Sequence, residues 1–366
     1  MTHRERVLKC FAHQEADRVP VDFGGWLCGI KPAAYKRLCA YMGVPFKAGD
    51  DSYTPSEKIL EHFDIDFRRV DAKKPAHAQT RGNPDGSTTD EWGITRIYSS
   101  GDNQIVDFVL KNASIADLAS YPWPDDSGTG RYEHTYDAAQ VLREKGFAVV
   151  AQPDIDGVFE LSCWLCGFER MLMDIVADLD FVHALFEKIT QLQEKFALNY
   201  YSACGSLVDM TQFGDDLAMQ TGPFFSLEMY RELIVPYQKR YMDAVKKRTQ
   251  AAIFHHCCGS VYQLIPGLME AGVQVLNPVQ ISAADMDPAR LKKEFGKQIT
   301  FHGGIDVQKV LPYKKPQEVR DEVKRILDIM APGGGYILAP SHNIQDDVPP
   351  ENIVAMYEAA LEFGRY

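Results

Sequence analysis

The sequence predicts an α/β protein built as a TIM-type (β/α)8 barrel with an N-terminal β-containing elaboration. Short apolar runs alternate with amphipathic segments through the second half of the chain, which is the pattern of parallel βαβ units. Five or six such units there, together with residues 19–23 and one more early run, fit an eight-stranded barrel. An open doubly wound sheet is the alternative, but no Gly-x-Gly-x-x-Gly follows an early strand, which disfavours its dinucleotide-binding form.

The elements are predicted in chain order from apolar periodicity and turn residues. A helix over residues 4–12 leads through a polar turn into the strand 19–23. The less regular stretch from about 26 to 124 is interpreted as an elaboration of one domain, 1–366. Within it we predict a helix at 56–63 and strands at 67–70, 92–98 and 104–110. Strands are then predicted at 147–151, 207–210, 251–254, 273–276, 299–301 and 336–338, and helices at 168–175, 180–203, 227–247, 261–271, 288–295, 316–330 and 350–363.

Composition excludes several classes of protein. The 366 residues are 45% hydrophobic and 11% aromatic, which is enough for a large core and too much for a disordered chain. The 39 basic and 51 acidic side chains give a net charge of −12, which argues against nucleic acid and anionic membranes as partners. No apolar run spans a membrane and no secretion signal is recognised, so we expect a cytoplasmic protein whose eight cysteines are thiols.

Four of the ten histidines and two of the eight cysteines stand where the predicted strands end, which is where parallel α/β folds carry their chemistry. In the run His-His-Cys-Cys, residues 255–258, side chains alternate, so that His256 and Cys258 share one face. Imidazole and thiolate are ligands that zinc prefers, and a catalytic zinc takes three protein ligands and leaves one position open. The third ligand is either His342 or His302. The alternative is a buried thiol pair with hydrogen-bonded histidines.

Acidic residues also follow predicted strands. Asp215 and Asp216 are adjacent and point apart, so they do not form a paired acid and base. One of them could orient a histidine or hold substrate, or could instead cap the following segment. Asp154 and Asp156 present the same alternatives. Glu160 could reach into the mouth of the barrel, but a position at the start of a helix is favoured.

Five segments resemble the uroporphyrinogen decarboxylase superfamily. They are Asp-Arg-Val-Pro-Val after the first helix and the stretches 254–260, 272–280, 301–306 and 332–345. The likeness covers nearly the whole chain and is strongest from about residue 214 onward. It implies a TIM-type barrel, in agreement with the alternation of strands and helices.

That superfamily holds two kinds of enzyme. The decarboxylases carry Arg-Gln-Ala-Gly-Arg after the first strand to grip the substrate carboxylates, whereas this chain has Phe-Gly-Gly-Trp-Leu-Cys-Gly over residues 23–29. The methyltransferases use zinc and carry His-x-Cys at a strand end and a cysteine near the last strand. His256 and Cys258 match the first part, and His342 stands where the cysteine is expected. Imidazole is an acceptable zinc donor.

The resemblance implies a zinc-dependent methyltransferase. It would move a methyl group between a small molecule (a methyl ether, methylamine or thiol) and a separate corrinoid protein, as in O-demethylase systems. No corrinoid-binding Asp-x-His-x-x-Gly occurs, so the corrinoid is expected on a partner. Asp215 or Asp216, together with Asn343, would act as catalytic residues that orient the substrate. The alternatives are a metal-free decarboxylase of uroporphyrinogen or a related carboxylate, and a non-catalytic ligand-binding barrel. The methyl substrate, the direction of transfer and the oligomeric state are left open.

Overall fold

Seven strands and one extended segment form a parallel barrel. The computed structural model describes residues 1–46, 53–99, 102–126 and 130–366. Each pair of adjacent strands within the two barrel sheets runs parallel. The strands are Phe67–Asp71, Ala148–Gln152, Met210–Thr211, Phe254–His256, Val275–Val279, Thr300–Ile305 and Tyr336–Pro340.

The extended segment of residues 19–23 closes one seam of the barrel. Val21 forms a parallel bridge with Leu338 of the last strand. On the other side, the backbone N–H of Asp66 donates to the carbonyl of Val21 at 3.1 Å, directly before the strand Phe67–Asp71. The segment is therefore the eighth member of the ring, as its apolar alternation predicts.

The second seam joins the strand Met210–Thr211 to the strand Phe254–His256. Two parallel bridges span it, from Met210 to Ala252 and from Gly214 to His256. With both seams closed, the predicted TIM-type barrel is confirmed.

Helices surround the barrel on the outside, where the predicted amphipathic segments lie. Three predicted helices are observed with the predicted bounds, namely Pro288–Phe295, Pro316–Met330 and Pro350–Phe363. Each begins with proline, which is well suited to the first helical turn. The other α-helices are His3–Phe11, Gly25–Cys28, Pro32–Met42, Glu57–His62, Ile115–Ser120, Thr135–Glu144, Val158–Cys166, Phe168–Ala177, Leu179–Cys204, Leu227–Leu233, Val235–Lys246, Ile265–Ala271 and Val310–Tyr313. The predicted helix 227–247 is divided at Ile234 because Pro236 starts a new helix. No α-helix among the described residues combines the length and apolarity that a membrane crossing requires.

The amino end of the barrel is filled by apolar side chains. Val7 and Cys10 of the helix His3–Phe11 form one buried cluster with inward-facing strand residues, among them Phe67 and Phe254. The Cys10 thiol also donates to the carbonyl of Tyr336 at 3.3 Å. The first helix therefore covers the apolar interior at this end of the barrel.

The irregular N-terminal stretch contains an antiparallel meander. Its four strands are Arg81–Gly82, Thr88–Thr89, Thr95–Ser99 and Asp102–Asp107, paired in chain order. The strand Phe67–Asp71 also lies within the stretch interpreted as an elaboration, but it belongs to the barrel. Residues 47–52 and 100–101 of that stretch are outside the described part of the chain.

Candidate metal centre

A polar layer lies directly above the apolar interior of the barrel. Val275 and Phe254 belong to the interior cluster, and the residues two positions later, Asn277 and His256, point the same way because strand side chains alternate. Asn277 is fully buried and His256 is 5% exposed. The strand predicted at 251–254 is observed at Phe254–His256, so this histidine is held by the sheet itself.

At the outer edge of this layer, His256, Cys258 and His342 converge. Each offers one ligand atom, and the three atoms all lie within 4.8 Å of one another. The Cys258 sulfur is 3.2 Å from His256 Nε2. The ring centroids of His256 and His342 are 5.6 Å apart. These are the three residues for which a metal-binding role is predicted from the sequence.

The structure also distinguishes between the two candidates for the third ligand. His302 lies within the strand Thr300–Ile305 and is fully buried, in a second group with Asp22 and Cys28. His342 follows the strand Tyr336–Pro340 by two residues and therefore reaches the rim. His302 faces Asp22 Oδ2 at 3.0 Å instead of the His256–Cys258 pair.

Asp216 holds the loop that carries the cysteine. Its Oδ1 accepts a hydrogen bond of 2.7 Å from the backbone N–H of Cys258 and lies 3.9 Å from His256 Nε2. Burial, with the negative charges of Asp216 and Glu160, raises the pKa of the Cys258 thiol well above its usual value. A cation bound here would favour the thiolate, and its affinity would rise with pH.

Asp215 points away from the cluster and stabilises a helix. It accepts hydrogen bonds from the backbone N–H groups of Glu160 at 2.8 Å and Phe159 at 3.4 Å, and from Gln238 at 2.9 Å. A Cβ on Gly157 would lie 2.1 Å from the Asp215 carboxyl carbon, so only glycine permits this approach. The capping alternative therefore accounts for the contacts of Asp215, and these contacts do not support a catalytic role.

Asn343 fastens a loop. Its Oδ1 accepts from the backbone N–H of Gly29 at 2.7 Å, and its amide donates to the carbonyl of Trp26 at 2.6 Å. Both oxygen and nitrogen are thus engaged by the segment that follows residues 19–23. These contacts give Asn343 a structural role, and its predicted role in orienting substrate has no support in them.

Glu160 is the acidic group for which sequence reasoning favoured the start of a helix over a place at the mouth of the barrel. It does lie on the first turn of the helix Val158–Cys166, as predicted. Burial, and then the charges of Asp216, Asp156 and Asp215, raise the pKa of its carboxyl well above the usual value. The available signal was its position eight residues after a strand, at the predicted start of a helix.

Asp156 gives a pH-dependent prediction. Burial and the charge of Asp154 raise its pKa from 3.8 to about 7, so the folded state holds this proton more tightly than the unfolded state. The protonated carboxyl therefore favours the folded state at low pH, and this contribution to the free energy of unfolding is lost as the pH rises from 4 through 7. We expect Asp156→Asn to raise the free energy of unfolding by about 2 kcal/mol at pH 8, after discounting for partial exposure, and to change it little at pH 4.

Urea denaturation of both proteins at the two pH values measures this difference. Asp347→Asn, at an exposed loop position, is the control and should show the same small effect at both. An equal effect of Asp156→Asn at pH 4 and pH 8 would contradict the burial argument.

A small cleft opens beside the cluster. It encloses about 230 Å³ and is lined by Cys258 and His342 themselves. Its other lining residues are Gln220, Gln280, Ser282, Asp306, Val307, Gln308, Ser341 and Gln345. The lining side chains therefore offer amides and hydroxyls and include neither lysine nor arginine. The volume is below the 300–1,000 Å³ typical of sites for drug-sized ligands.

The fold and the site define a parallel α/β barrel with a polar centre at the carboxyl ends of its strands. The family model of uroporphyrinogen decarboxylase (URO-D) matches residues 98–363. A uroporphyrinogen decarboxylase of Alkalilimnicola ehrlichii is 24% identical, over 98% of this chain and 94% of its own. Another, of Idiomarina loihiensis, is 24% identical over 98% and 96%. A methyltransferase from Methanosarcina mazei superposes with a TM-score of 0.67 and 17% identity, covering 99% of both chains.

The chain therefore belongs to the uroporphyrinogen decarboxylase (URO-D) family, as the resemblance indicates. Family membership supports an enzyme of this superfamily. The structural likeness shows the common barrel.

Proposed function

We propose that this protein is a zinc-dependent methyltransferase that moves a methyl group between a small molecule and a corrinoid carried by a separate protein. The observation that carries the proposal is the position of Cys258 and His342. Both belong to the three-residue cluster and both line the cleft, so a substrate in the cleft would contact the atoms that would bind the metal ion.

The ligand atoms suit a zinc ion. Bonds of about 2.0 Å to nitrogen and 2.3 Å to sulfur at a tetrahedral angle place two such donors about 3.5 Å apart. The separation of 3.2 Å between His256 Nε2 and Cys258 Sγ is close to that value. Two imidazoles and one sulfur leave a fourth position for a substrate, and zinc there would act as a Lewis acid on the oxygen, nitrogen or sulfur that bears the methyl group.

The residues of the chain would supply orientation. Gln280 is fixed by accepting a hydrogen bond of 2.7 Å from the backbone N–H of Gly259. Gln308 accepts one of 3.2 Å from the Ser282 hydroxyl. Their remaining amide donors can bind a small polar substrate whose methyl group points out of the cleft. The corrinoid of the partner protein would supply the nucleophile whose electron pair forms the new bond to the methyl carbon, and the oxygen, nitrogen or sulfur that loses the methyl group would keep the electron pair of the broken bond.

The decarboxylase alternative has the support of the relatives, which are named uroporphyrinogen decarboxylase. The cleft gives less support, because its lining residues include no lysine or arginine for a substrate with several carboxylates. The segment 23–29 likewise has no arginine. A barrel that only binds a ligand would need neither the cluster nor an open position beside it.

The test combines metal content with methyl transfer. The purified protein should contain about one zinc per chain. It should convert free cob(I)alamin to methylcobalamin with at least one donor among aryl methyl ethers, methylamines and methyl thioethers. If transfer runs the other way, it should instead move the methyl group of methylcobalamin to a thiol. Absorbance of the corrinoid follows either direction. A zinc-free protein that releases CO2 from uroporphyrinogen would establish the decarboxylase instead.

A further inference from the structure

A continuous chain of buried side chains crosses the barrel beneath the cluster. The Arg69 guanidinium donates to Asp22 Oδ2 at 2.8 Å, and His302 Nε2 lies 3.0 Å from the same oxygen. His302 Nδ1 is 2.8 Å from Asn277 Nδ2, and Asn277 Oδ1 is 2.5 Å from His256 Nδ1. Below, these five residues are called the buried chain. They come from five different members of the barrel ring.

The charge at one end sets the direction of every hydrogen bond in the buried chain. Burial alone would raise the pKa of Asp22, but Arg69 and His302 hold it at about 2, so this group is a carboxylate that can only accept. His302 Nε2–H therefore donates to it, and in a neutral imidazole the other nitrogen, His302 Nδ1, is then an acceptor. The Asn277 amide N–H then faces His302, so its oxygen faces His256.

We infer that the buried chain fixes His256 in the tautomer protonated on Nδ1, so that its Nε2 lone pair is always directed at Cys258 and His342. Asp22, His302 and Asn277 are thus positioning residues for a ligand that they do not themselves form. The inference rests on the proposed function in one respect, namely that the lone pair serves a metal ion. The tautomer itself can be measured without any metal.

The second group of potential ligands, Asp22, Cys28 and His302, does not compete with this assignment. These atoms also lie within 4.8 Å of one another. However, the Arg69 guanidinium is 2.8 Å from Asp22 and 3.3 Å from the Cys28 sulfur, so a fixed positive charge already neutralises the carboxylate. A divalent cation would be repelled there, whereas a hydrogen-bonded anchor is stabilised.

Such an arrangement has a physical consequence for metal affinity. A ligating histidine whose other nitrogen is held by a fixed acceptor does not lose rotational or tautomeric freedom on binding, and removing the acceptor typically costs 10–100-fold in affinity. The Asn277 amide could also rotate by 180°, which would exchange its oxygen and nitrogen. Its orientation therefore depends on its hydrogen bond with His302. The buried chain therefore predicts an effect at Asp22, three links away from His256.

The first experiment measures the tautomer in zinc-free protein. Long-range ¹H–¹⁵N correlation spectra of ¹⁵N-histidine-labelled protein distinguish the two tautomers, and loss of a signal in His256→Ala assigns it. We expect the Nδ1-protonated form of His256 in the wild type and a mixture in Asp22→Asn, whose side chain can donate as well as accept. An Nε2-protonated His256 in the wild type, or an unchanged tautomer in a folded Asp22→Asn, would overturn the inference.

The second experiment measures zinc affinity by competition with a chromophoric chelator. Asn277→Leu should raise the zinc dissociation constant about 10–100-fold, and Asn277→Asp, which keeps an acceptor toward His256, should remain within about threefold of the wild type. His255→Phe is the matched control and should leave the zinc dissociation constant unchanged. His255 lies on the same strand, but its ring packs against Phe213 with 5.5 Å between the ring centroids. If Asp22→Asn does not fold, the comparison of the two Asn277 variants decides.

The two experiments separate failure of this inference from failure of the proposed function. A wild-type protein that shows the expected tautomer and binds no zinc would remove the metal and leave the buried chain in place. If the wild type and Asn277→Leu bind zinc equally well, the metal site is kept and the positioning role of the buried chain is lost.

Discussion

Replacing His256 or Cys258 should abolish zinc binding and methyl transfer together. We expect His256→Ala and Cys258→Ala to lower the zinc content from about one per chain to near zero and the methyl-transfer rate by at least about 10³-fold. The physical reason is that a Lewis acid is worth several kcal/mol to a developing negative charge, and each 1.36 kcal/mol is a factor of ten in rate. Metal analysis and corrinoid absorbance measure the two quantities on the same samples.

The alternation of the strand provides a matched control for this prediction. Cys257 is adjacent, fully buried, and turned to the other face, where its sulfur accepts from the backbone N–H of Leu217 at 3.1 Å. Cys257→Ala should therefore retain zinc and activity. Loss of zinc in Cys257→Ala but not in Cys258→Ala would show that the facing of the pair has been assigned the wrong way.

The third member of the cluster tests the ligand chemistry more finely. His342→Ala should weaken zinc binding strongly, because two ligands do not hold a catalytic zinc. His342→Cys should retain zinc, because a thiolate is an equally good donor and the resemblance to the methyltransferases implies cysteine at this place. Unchanged zinc affinity in His342→Ala would mean that another residue is the third ligand.

The sequence predicted the barrel and the His256–Cys258 pair because both follow from local periodicity. An apolar strand of period two decides which residues share a face, and parallel strands decide at which end of the barrel they meet. To choose between His342 and His302, one must also know how far each histidine lies from the carboxyl end of its strand. The strand predicted at 299–301 continues to Ile305, so His302 lies one layer below the rim where the sequence had placed it.

The acidic residues show where sequence reasoning reaches its limit. Asp215 and Asp216 are adjacent and chemically identical, and tertiary contacts alone separate them. Asp215 is drawn to the N-terminal end of a helix from another part of the chain, whereas Asp216 binds the backbone of Cys258. Asn343 is likewise engaged by a loop more than 300 residues away in sequence. No pattern within a short window contains these partners.

Asp66 should be the most costly single charge to remove for stability. It is fully buried beside the seam that residues 19–23 close, and it accepts from Arg6 at 2.5 Å, from Arg18 at 2.7 Å and from the backbone N–H of Val21 at 2.8 Å. Asp66→Asn would leave two buried guanidinium groups with only the more exposed carboxylates of Asp17 and Asp64 as counter-charges. We expect the free energy of unfolding to fall by about 3–5 kcal/mol, measured by urea denaturation at pH 7.

Asp64 is the matched control for this effect because it pairs with the same Arg18 at 2.7 Å but is 48% exposed. Asp64→Asn should cost less than about 1 kcal/mol, since water screens an exposed pair. The contrast also explains the structural role of Asp-Arg-Val-Pro-Val, residues 17–21. Its arginine binds the Asp66 carboxylate, which lies beside the seam at the end of the barrel opposite the metal centre. Asp66→Asn should therefore lower stability while leaving the zinc affinity of the folded fraction unchanged. A large loss of zinc affinity in folded Asp66→Asn would show that the two ends of the barrel are coupled.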